Sequence, residues 1–515
     1  MSNLKFHELE HSMGIFIYEQ MLQAHNECNN IVEQNHNIVA IFFHDLMKIT
    51  TNYFYKKNAL HGVYAPFKEV LEKEMLTFPY ISYKDVENGI NLEEKKMIVS
   101  NRLGFKKSAW NFFVELYFSI IKNNKTVGFG KNIPVKNKII VDFLRKKVKV
   151  KFLKYNRIKV KEVHMQLEVV QKHISHICSN LDSDRVSDPL FLLIEKHINS
   201  HISKYDNKIK YDVVVVGSLA ESINQFNAVI ANRFKIPVLA MFHGEGDQSI
   251  FDEPRFGYCE RVFVDYILGH GSQNSYNTNN TKFLNSITEN NPVFIPSSSE
   301  FIDKIYHNDV IQSVNDLADF RWMYVPDSLQ FITQWGPYGG YINDMLYLQW
   351  QRSVVSVFPN LMYKRHPKGN SLFREVSDNK LRKWIDPNNE FNIIITSENF
   401  YNIYDGCDGY IFDTVSTAFM IAVATNKPII YFNIGKRKFR EEVEKKIKER
   451  CLWIDHDQEE KIDFDIISKK IMNHNPTNKI TVQYSLDLSN KYDSRDNALL
   501  NFIVHNDLGP SLKTC

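Results

Sequence analysis

Three short stretches carry side chains whose types and spacing could do chemistry. The stretch His243-Gly-Glu-Gly-Asp-Gln248 offers an imidazole, two carboxylates and two glycines that let a ligand approach closely. Lys364-Arg-His-Pro367 gathers basic groups, and Asp413-Thr-Val-Ser-Thr417 holds polar groups suited to the start of a helix. Together these stretches offer a base, cations and hydroxyl groups, which transfer from a phosphate-activated donor requires.

The basic stretch is predicted to lie at the end of a strand. Pro367 fixes the chain and tends to keep the residue before it extended, which would present His366 at the strand end. Lys364, Arg365 and Lys368 flank this imidazole. A loop with this much positive charge suits a pyrophosphate or a phosphodiester leaving group.

The hydroxyl groups of Ser416 and Thr417 follow a short apolar strand at 410–412. The pattern predicts a small-residue helix over 418–425, a break at Asn426-Lys-Pro428 and a second buried strand at 429–432. Two interpretations stay open at this point. Ser416 and Thr417 bind a phosphate or carboxylate at the helix start, or they only cap the helix of an ordinary βαβ unit.

A glycine-rich loop is the fourth candidate. It spans 327–341, after a strand predicted from Trp322, and contains Gly336 and Gly339. Such a loop can cradle a phosphate or a base. Its spacing differs from GxGxxG, so a dinucleotide fold is disfavoured.

Strands and helices that could position these stretches alternate from Tyr211 onward. Continuous apolar runs predict strands at 211–217, 236–242, 361–366 and 390–396, with helices at 218–234 and 342–357. Parallel sheets place their chemistry at the carboxyl ends of strands, where all four candidate stretches fall. The region 291–319 is predicted as the link between two lobes.

Composition bounds the class of protein. A chain of 515 residues is too long to form a single hydrophobic core, so two or more domains are expected. A composition of 43% hydrophobic and 24% charged residues is typical of a soluble globular protein. The net charge of +3 gives no argument for nucleic acid. Six scattered cysteines favour a reducing compartment, the first residues do not resemble a signal peptide, and no apolar run is long enough to span a membrane.

Other motifs are predicted to be structural. The first 120 residues are mostly helical by their apolar spacing, and His7-Glu-Leu-Glu-His11 fits the HExxH pattern without a sheet to pack on. We interpret it as a solvated helix start, and we interpret His44-Asp45 as structural. Asp455-His-Asp457 and Asp463-Phe-Asp465 are treated as chance DxD matches, so no metal site is predicted.

A basic segment spans residues 122–161. It holds fourteen lysines and arginines against one acid, Asp142. Alternation within Lys147-Val-Lys-Val-Lys-Phe152 predicts a half-buried strand with a basic face. This face could contact an anionic membrane surface or an acidic glycan, or it could simply be solvated.

The ordered set of motifs resembles a known group of enzymes. His243-Gly244, then Lys364-Arg-His-Pro367, then Phe412-Asp-Thr-Val-Ser-Thr417 with Asn426-Lys-Pro428, is similar to bacterial GT-B surface-polysaccharide transferases. These include Kdo transferases, sialyltransferases with an HP motif, and CDP-glycerol glycerophosphotransferases. The resemblance covers about residues 211–432.

The resemblance implies roles for the candidate residues. His366 would contact the donor phosphate and stabilise or protonate the leaving nucleotide, while Ser416 and Thr417 would bind the phosphate or the donor carboxylate. Such families use cytidine-activated donors and need no metal or other cofactor. An acid in the first lobe would activate the acceptor hydroxyl. The sialyltransferases carry two adjacent acids before a glycine, whereas this chain has Gly244-Glu-Gly-Asp247, so the base is Glu245, Asp247 or neither.

We therefore predict an α/β, GT-B-like fold with two Rossmann-like lobes facing across a cleft. The expected parts are a mainly helical region at 1–120, an acceptor lobe at 121–310, a nucleotide-donor lobe at 320–485 and a C-terminal helix within 486–515 that crosses back to the first lobe. The predicted catalytic residues are Glu245, Asp247, His366 and His243. The predicted donor-binding residues are Gly336, Gly339, Lys364, Arg365, His366, Pro367, Asp413, Ser416 and Thr417.

The predicted activity is transfer of an acidic sugar, of the sialic acid or Kdo type, from a CMP-linked donor to a glycan or lipid-linked glycan hydroxyl. The alternatives are a CDP-glycerol-type polyol-phosphate transferase, another nucleotide-sugar transferase including UDP-donor enzymes, and a non-enzymatic glycan-binding or assembly protein. We expect a cytoplasmic protein at the inner face of the membrane, with no nucleic acid partner.

Overall fold

The structure is a computed structural model of the 515-residue chain. It describes residues 3–32, 37–58, 126–129, 149–152, 162–181, 187–202, 211–217, 222–241, 263–269, 292–299, 301–302, 304–305, 320–327, 344–358, 360–365, 378–386, 388–435, 439, 441–455, 462–474 and 495–505.

The first lobe is built on a six-stranded sheet in which all neighbouring strands are parallel. The strands are β1 (Thr126–Phe129), β2 (Lys149–Phe152), β3 (Val213–Val216), β4 (Val238–Met241), β5 (Tyr266–Leu268) and β6 (Val293–Ile295). Their order across the sheet is β2-β1-β3-β4-β5-β6. The basic strand predicted at Lys147–Phe152 corresponds to β2, which is the outermost of the described strands on this side of the sheet. The region predicted as the inter-lobe link contains a strand of this sheet, β6, which its three-residue length concealed.

The valine run of β3 shows why an inner strand of this sheet is apolar throughout. Successive side chains of a strand point to opposite faces of the sheet. Val214 and Val216 pack against the N-terminal helices, whereas Val213 and Val215 pack on the other face with the C-terminal segment of the chain. Because both faces are covered, polar residues have no solvated face to occupy.

A layer of helices covers one face of this sheet. The helices are α1 (Asn3–Ile31), α2 (Ile38–Asn58), α3 (Val163–Leu181), α4 (Ser187–Ile202) and α5 (Ser222–Arg233). Asn37 caps α2, since its Oδ1 accepts from the backbone N–H groups of Val39 and Ala40 at 2.9 and 3.1 Å.

The His-Asp pair in α2 has a structural partner. His197 Nε2 of α4 lies 2.8 Å from Asp45 Oδ2, and each of the two side chains is 8% exposed. This buried contact joins α2 to α4, in agreement with the structural interpretation of Asp45. Residues 7–11 lie on α1, but their side chains are outside the description.

The second lobe is also built on a six-stranded parallel sheet. Its strands are β7 (Trp322–Val325), β8 (Leu361–Lys364), β9 (Ile393–Thr396), β10 (Gly409–Phe412), β11 (Ile429–Asn433) and β12 (Leu452–Asp455). Its helices are α6 (Asp344–Val357), α7 (Asp378–Ile385), α8 (Phe400–Ile403), α9 (Thr417–Ala422), α10 (Glu441–Arg450) and α11 (Phe464–Asn473). The strand order is β12-β11-β10-β7-β8-β9.

The contact between β10 and β7 depends on a glycine. A Cβ atom on Gly409 would lie 2.6 Å from the ring of Trp322 and 2.8 Å from that of Phe320. Trp322 is fully buried, so its ring cannot move into solvent to make room. Glycine at the start of β10 therefore lets the aromatic residues of the neighbouring strand pack against the backbone.

Two segments pack on the sheet of the other lobe. Ile302 and Ile305, which follow β6, are buried in a cluster with Met323 and Phe412 of the second lobe. The last described helix, α12 (Arg495–His505), packs on the first sheet, where the ring centroids of Phe502 and Tyr266 are 4.6 Å apart.

The predicted fold class is confirmed: two parallel α/β lobes follow each other, and the described N-terminal part is helical. The order of parts is that of the predicted GT-B-like fold. The predicted domain boundaries near 120, 310 and 485 fall in 59–125, 306–319 and 475–494, outside the described residues.

Candidate active site at the edge of the second sheet

The strand order of the second sheet identifies a crevice. From the central strand β7 the chain moves to β8 and β9 on one side, and then returns to place β10 on the other side. In open parallel sheets, ligands bind outside the carboxyl ends of strands at such a reversal of direction. The crevice therefore lies between the end of β7, at Asp327, and the end of β10, at residues 413–416.

The predicted hydroxyl groups lie on the β10 side of this crevice. Ser416 is the N-cap residue of α9, with extended backbone angles of φ −144° and ψ 179°, and its side chain makes no capping hydrogen bond. Ser416 and Thr417 are both half-buried. α9 is only six residues long, shorter than the predicted helix over 418–425, and anion binding by Ser416 and Thr417 stays a prediction.

Asp413, a predicted donor-binding residue, has partners inside the protein. Its carboxylate is 1% exposed and accepts hydrogen bonds from Tyr324 Oη at 2.5 Å, Tyr347 Oη at 2.8 Å and Trp350 Nε1 at 2.8 Å. Burial, and then the negative charge of Asp413, raises the pKa of both tyrosines well above the ordinary value. Both phenols therefore stay protonated and donate, while contact of Asp413 with a donor stays a prediction.

The same tyrosine on α6 connects the two sides of the crevice. Tyr347 Oη donates to Asp413 and accepts from the backbone N–H of Asp327 at 2.7 Å. Thr414 Oγ1 lies 3.5 Å from Asp327 Oδ2. The end of β7 and the end of β10 are therefore joined through side chains as well as through the strand ladder.

Lys364 is the cation at the end of the next strand, β8. Its side chain is buried, the residue being 4% exposed, and Nζ donates to the backbone carbonyl of Arg365 at 2.6 Å. Burial, and then the charge of Arg365, lowers the pKa of the Lys364 ammonium to about 8. Among the described residues, Lys364 forms no ion pair with a carboxylate. An anion in the crevice would supply that counter-charge.

Arg450 holds the chain that returns from α9 to β11. Its guanidinium is 1% exposed and donates to the backbone carbonyls of Val423, Thr425 and Lys427 at 3.1, 2.9 and 2.8 Å. Lys427 Nζ in turn donates to the carbonyls of Asp405 and Cys407, which precede β10. Both ends of the βαβ unit that carries Ser416 and Thr417 are thus fixed by cations, the buried Arg450 and the half-buried Lys427.

The remaining predicted site residues lie outside the described residues. They are His243, Glu245, Asp247, Gly336, Gly339, His366 and Pro367. Arg365, their described neighbour, is half-buried, and its backbone N–H donates to the carbonyl of Thr396 at 2.9 Å. Of the predicted donor residues that are described, the strand order brings Asp413, Ser416 and Thr417 to one side of the crevice and Lys364 to the strand beyond β7.

Sequence reasoning missed the polar partners of Asp413. Tyr347 and Trp350 are one turn apart on α6, so they share a helix face, and Tyr324 sits on the adjacent strand β7. The one local signal was this aromatic spacing, which also fits an ordinary apolar core.

No group of three or more potential metal ligands occurs within the described residues. Two described acids of the DxD motifs, Asp455 and Asp463, have structural partners. Asp455 Oδ1 accepts from Asn433 Nδ2 at 2.7 Å and from Trp453 Nε1 at 2.9 Å, while Asp463 caps α11 through the N–H of Ile466. No helix in the described part of the chain has the length and apolar character needed to cross a membrane.

Comparison with known proteins gives limited information. No family model and no curated protein matches the chain. Among solved structures, it is similar to MurG of Acinetobacter baumannii, with a TM-score of 0.34 and 8% identity over 74% of this chain and 99% of that chain. It is also similar to the spinosyn rhamnosyltransferase SpnG, with a TM-score of 0.34 and 10% identity over 73% of this chain and 98% of that chain. For a glycosyltransferase of kitacinnamycin the TM-score is 0.32 and the identity 8%, over 76% of this chain and 94% of that chain. At these scores the likeness carries no argument about activity or substrate.

Proposed function

We propose that this chain is a glycosyltransferase that takes a sugar from a nucleotide-activated donor bound at the edge of the second sheet. The observation that carries the proposal is the crevice between β7 and β10, which has hydroxyl groups on one side and the buried Lys364 at the end of the adjoining strand. Hydroxyl groups, and an ammonium that has no carboxylate partner among the residues that the structure describes, are suited to a phosphate.

The finer proposal is a CMP-linked acidic sugar of the sialic acid or Kdo type. It is supported by the resemblance of Lys364-Arg-His-Pro367 and Asp413-Thr-Val-Ser-Thr417 to the motifs of surface-polysaccharide transferases. A CDP-glycerol-type polyol-phosphate transferase or a UDP-sugar enzyme would use the same crevice. A glycan-binding protein without activity is the third class.

The proposed reaction needs one base and one stabilised leaving group. An acceptor hydroxyl oxygen forms a bond to the anomeric carbon and gives its proton to Glu245 or Asp247. The bond from that carbon to the phosphate oxygen breaks, and the nucleotide leaves with the electron pair. Lys364, Ser416 and His366 would stabilise the negative charge that develops on the phosphate.

We propose that the protein binds its glycan or lipid-linked glycan acceptor at the membrane surface. β2 is the outermost described strand on its side of the sheet, and it belongs to the basic segment 122–161, which holds fourteen lysines and arginines against one acid. Positive charge of this density is suited to anionic lipid headgroups. We propose cytoplasmic localisation at the inner face of the membrane on this basis.

Nucleotide binding tests the proposal. We expect CMP at about 100 times its Kd to stabilise the protein by about 2.7 kcal/mol, because it binds the folded state alone. Thermal melts with CMP, CDP, UMP and UDP provide the measurement, and adenosine monophosphate is the control. Preference for CMP supports the acidic-sugar donor, whereas preference for CDP or UDP selects the alternatives. Absence of binding by all four pyrimidine nucleotides would contradict the transferase proposal.

A second expectation concerns Lys364→Met, which we expect to stabilise the unliganded protein while weakening nucleotide binding about tenfold. Burial lowers the pKa of the ammonium from 10.5 to about 8, so charging Lys364 costs stability in the folded protein at neutral pH. Between pH 8 and pH 10.5 the Lys364 amine is protonated in the unfolded chain and mostly neutral in the folded protein. Because the unfolded state then binds more protons, Lys364 makes the stability of the wild-type protein rise with pH in this range. Methionine fills a similar volume and removes the penalty.

Thermal melts from pH 6.5 to 9, with and without nucleotide, measure both effects of Lys364→Met. Wild-type affinity for the nucleotide should fall as the pH rises through about 8, since the ammonium then loses its proton. Lys383→Met, at an exposed lysine of α7, is the matched control and should change neither quantity. Unchanged nucleotide affinity in Lys364→Met would remove this residue from the site.

A further inference from the structure

The most heavily hydrogen-bonded side chain near the crevice is a buried carboxylate. Asp413, at the end of β10, accepts from Tyr324 and Trp350 at Oδ2 and from Tyr347 at Oδ1. These partners come from β7 and from α6, so one side chain connects three elements. Deletion of any one donor would leave part of a buried charge without a hydrogen bond, which is costly.

Tyr347 carries this arrangement across the crevice. Its hydroxyl is a donor to Asp413 and an acceptor from the N–H of Asp327, the residue that ends the described chain after β7. Tyr347 lies in the first turn of α6, where the description resumes. Asp327, at the end of β7, and the first turn of α6 are therefore both joined to the end of β10 through the hydroxyl group of Tyr347.

We propose that Asp413 is a positioning residue that acts through Tyr347 to hold the ends of β7 and β10 in the register that nucleotide binding requires. This inference rests on the proposed function, since it concerns the same crevice. Its geometric basis is the chain of hydrogen bonds Asp413–Tyr347–Asp327, at 2.8 and 2.7 Å. Asp413 itself has no need to touch the donor, because Ser416 and Thr417 follow it on the same side.

The position of the negative charge is consistent with this role. Asp413 is 1% exposed, and the hydroxyl groups of Tyr324 and Tyr347 and the indole N–H of Trp350 donate to its carboxylate and orient it. A phosphate that approached the carboxylate directly would meet a like charge. A role through Tyr347 requires no contact between this carboxylate and the donor phosphate.

Two tyrosine variants provide a matched test. Tyr347→Phe removes the hydroxyl that joins Asp413 to Asp327, and Tyr363→Phe removes another buried hydroxyl of the same lobe, which donates to Gln351 Oε1 at 2.8 Å. Tyr347→Phe loses two hydrogen bonds, one of them to a buried carboxylate, whereas Tyr363→Phe loses one, so both variants should lower the Tm and Tyr347→Phe should lower it more. We expect only Tyr347→Phe to raise the Kd for CMP, by about tenfold, and to raise KM for the donor more than it lowers kcat.

Hydrogen exchange without nucleotide supplies a readout that is independent of the proposed function. The peptide that contains the Asp327 amide should exchange faster in Tyr347→Phe than in wild type or Tyr363→Phe, because that amide loses its hydrogen-bond acceptor. Asp413→Asn is the second variant, and it should reproduce both effects if it folds. If Asp413→Asn does not fold, the hydrogen exchange and the CMP affinity of Tyr347→Phe alone test the positioning role.

The outcomes separate the two proposals. Faster exchange at Asp327 together with weaker CMP binding supports the positioning role. Unchanged exchange, or faster exchange with unchanged CMP affinity, overturns it. If wild-type protein binds none of CMP, CDP, UMP and UDP, the transferase proposal fails, and the exchange of the Asp327 amide alone then decides whether Asp413 and Tyr347 fix the end of β7.

Discussion

We expect one of two single variants, Glu245→Gln or Asp247→Asn, to lose sugar transfer by about 10²–10⁴-fold. An acceptor hydroxyl is a weak nucleophile until a base takes its proton, and an amide of the same shape cannot do so. Both carboxylates follow β4, an inner strand of the first sheet, by a few residues of chain. Loops that follow inner parallel strands are where α/β sheets place reactive groups.

Transfer is measured as nucleotide release with the donor and acceptor that the wild-type protein uses. The variant that lacks the base should retain a low residual rate. The acidic limb of its pH–rate profile should be absent, because the amide that replaces the catalytic carboxylate does not titrate. Glu168→Gln, at a residue of α3 whose side chain is 66% exposed, controls for the loss of one negative charge. Full activity in both Glu245→Gln and Asp247→Asn would place the base elsewhere.

His366→Ala is expected to lower kcat at least about tenfold while the fold stays intact. His366 follows Lys364 by two residues, and Lys364 ends β8 beside the central strand β7. The phosphate of the leaving nucleotide gains negative charge as its bond to the sugar breaks. An imidazole that donates a hydrogen bond or a proton to this oxygen stabilises the transition state more than the bound donor, so its loss reduces kcat.

Single-turnover and steady-state rates of His366→Ala separate an effect on chemistry from one on donor binding. A thermal melt shows whether the variant is folded. His164→Ala is the matched control, because this histidine of α3 has an 89% exposed side chain. Normal turnover by folded His366→Ala would refute the assigned role.

Local sequence patterns predicted the inner strand β3, but they did not predict where the helix α9 ends. The valine run after Tyr211 predicted β3, since a strand buried on both faces is apolar without interruption. α9 ends three residues before the predicted helix does, at Ala422. Arg450, far along the chain, binds the carbonyls of Val423 and Thr425, so these carbonyls do not continue a helix. No local pattern contains that contact.

The candidate site was predicted in part. The sequence located Ser416 and Thr417 beside a strand end because hydroxyl residues between a strand and a helix are a local signal. It placed Asp413 among the donor ligands, whereas the structure gives that carboxylate three internal donors. Lys364 was predicted as one of several basic residues, and its burial and lowered pKa depend on what packs around β8.

The sequence by itself determined the α/β class, the alternation of strands and helices after Tyr211 apart from the short strand β6, and the polar stretches that follow strands, because short-range patterns of apolar and polar residues contain all three. Only the tertiary structure decided that β10 lies beside β7, and therefore which strand ends form a crevice. The physical reason is that strand neighbours are selected by packing between residues far apart in the chain, as with Gly409 against Trp322 and Asp413 against Tyr347.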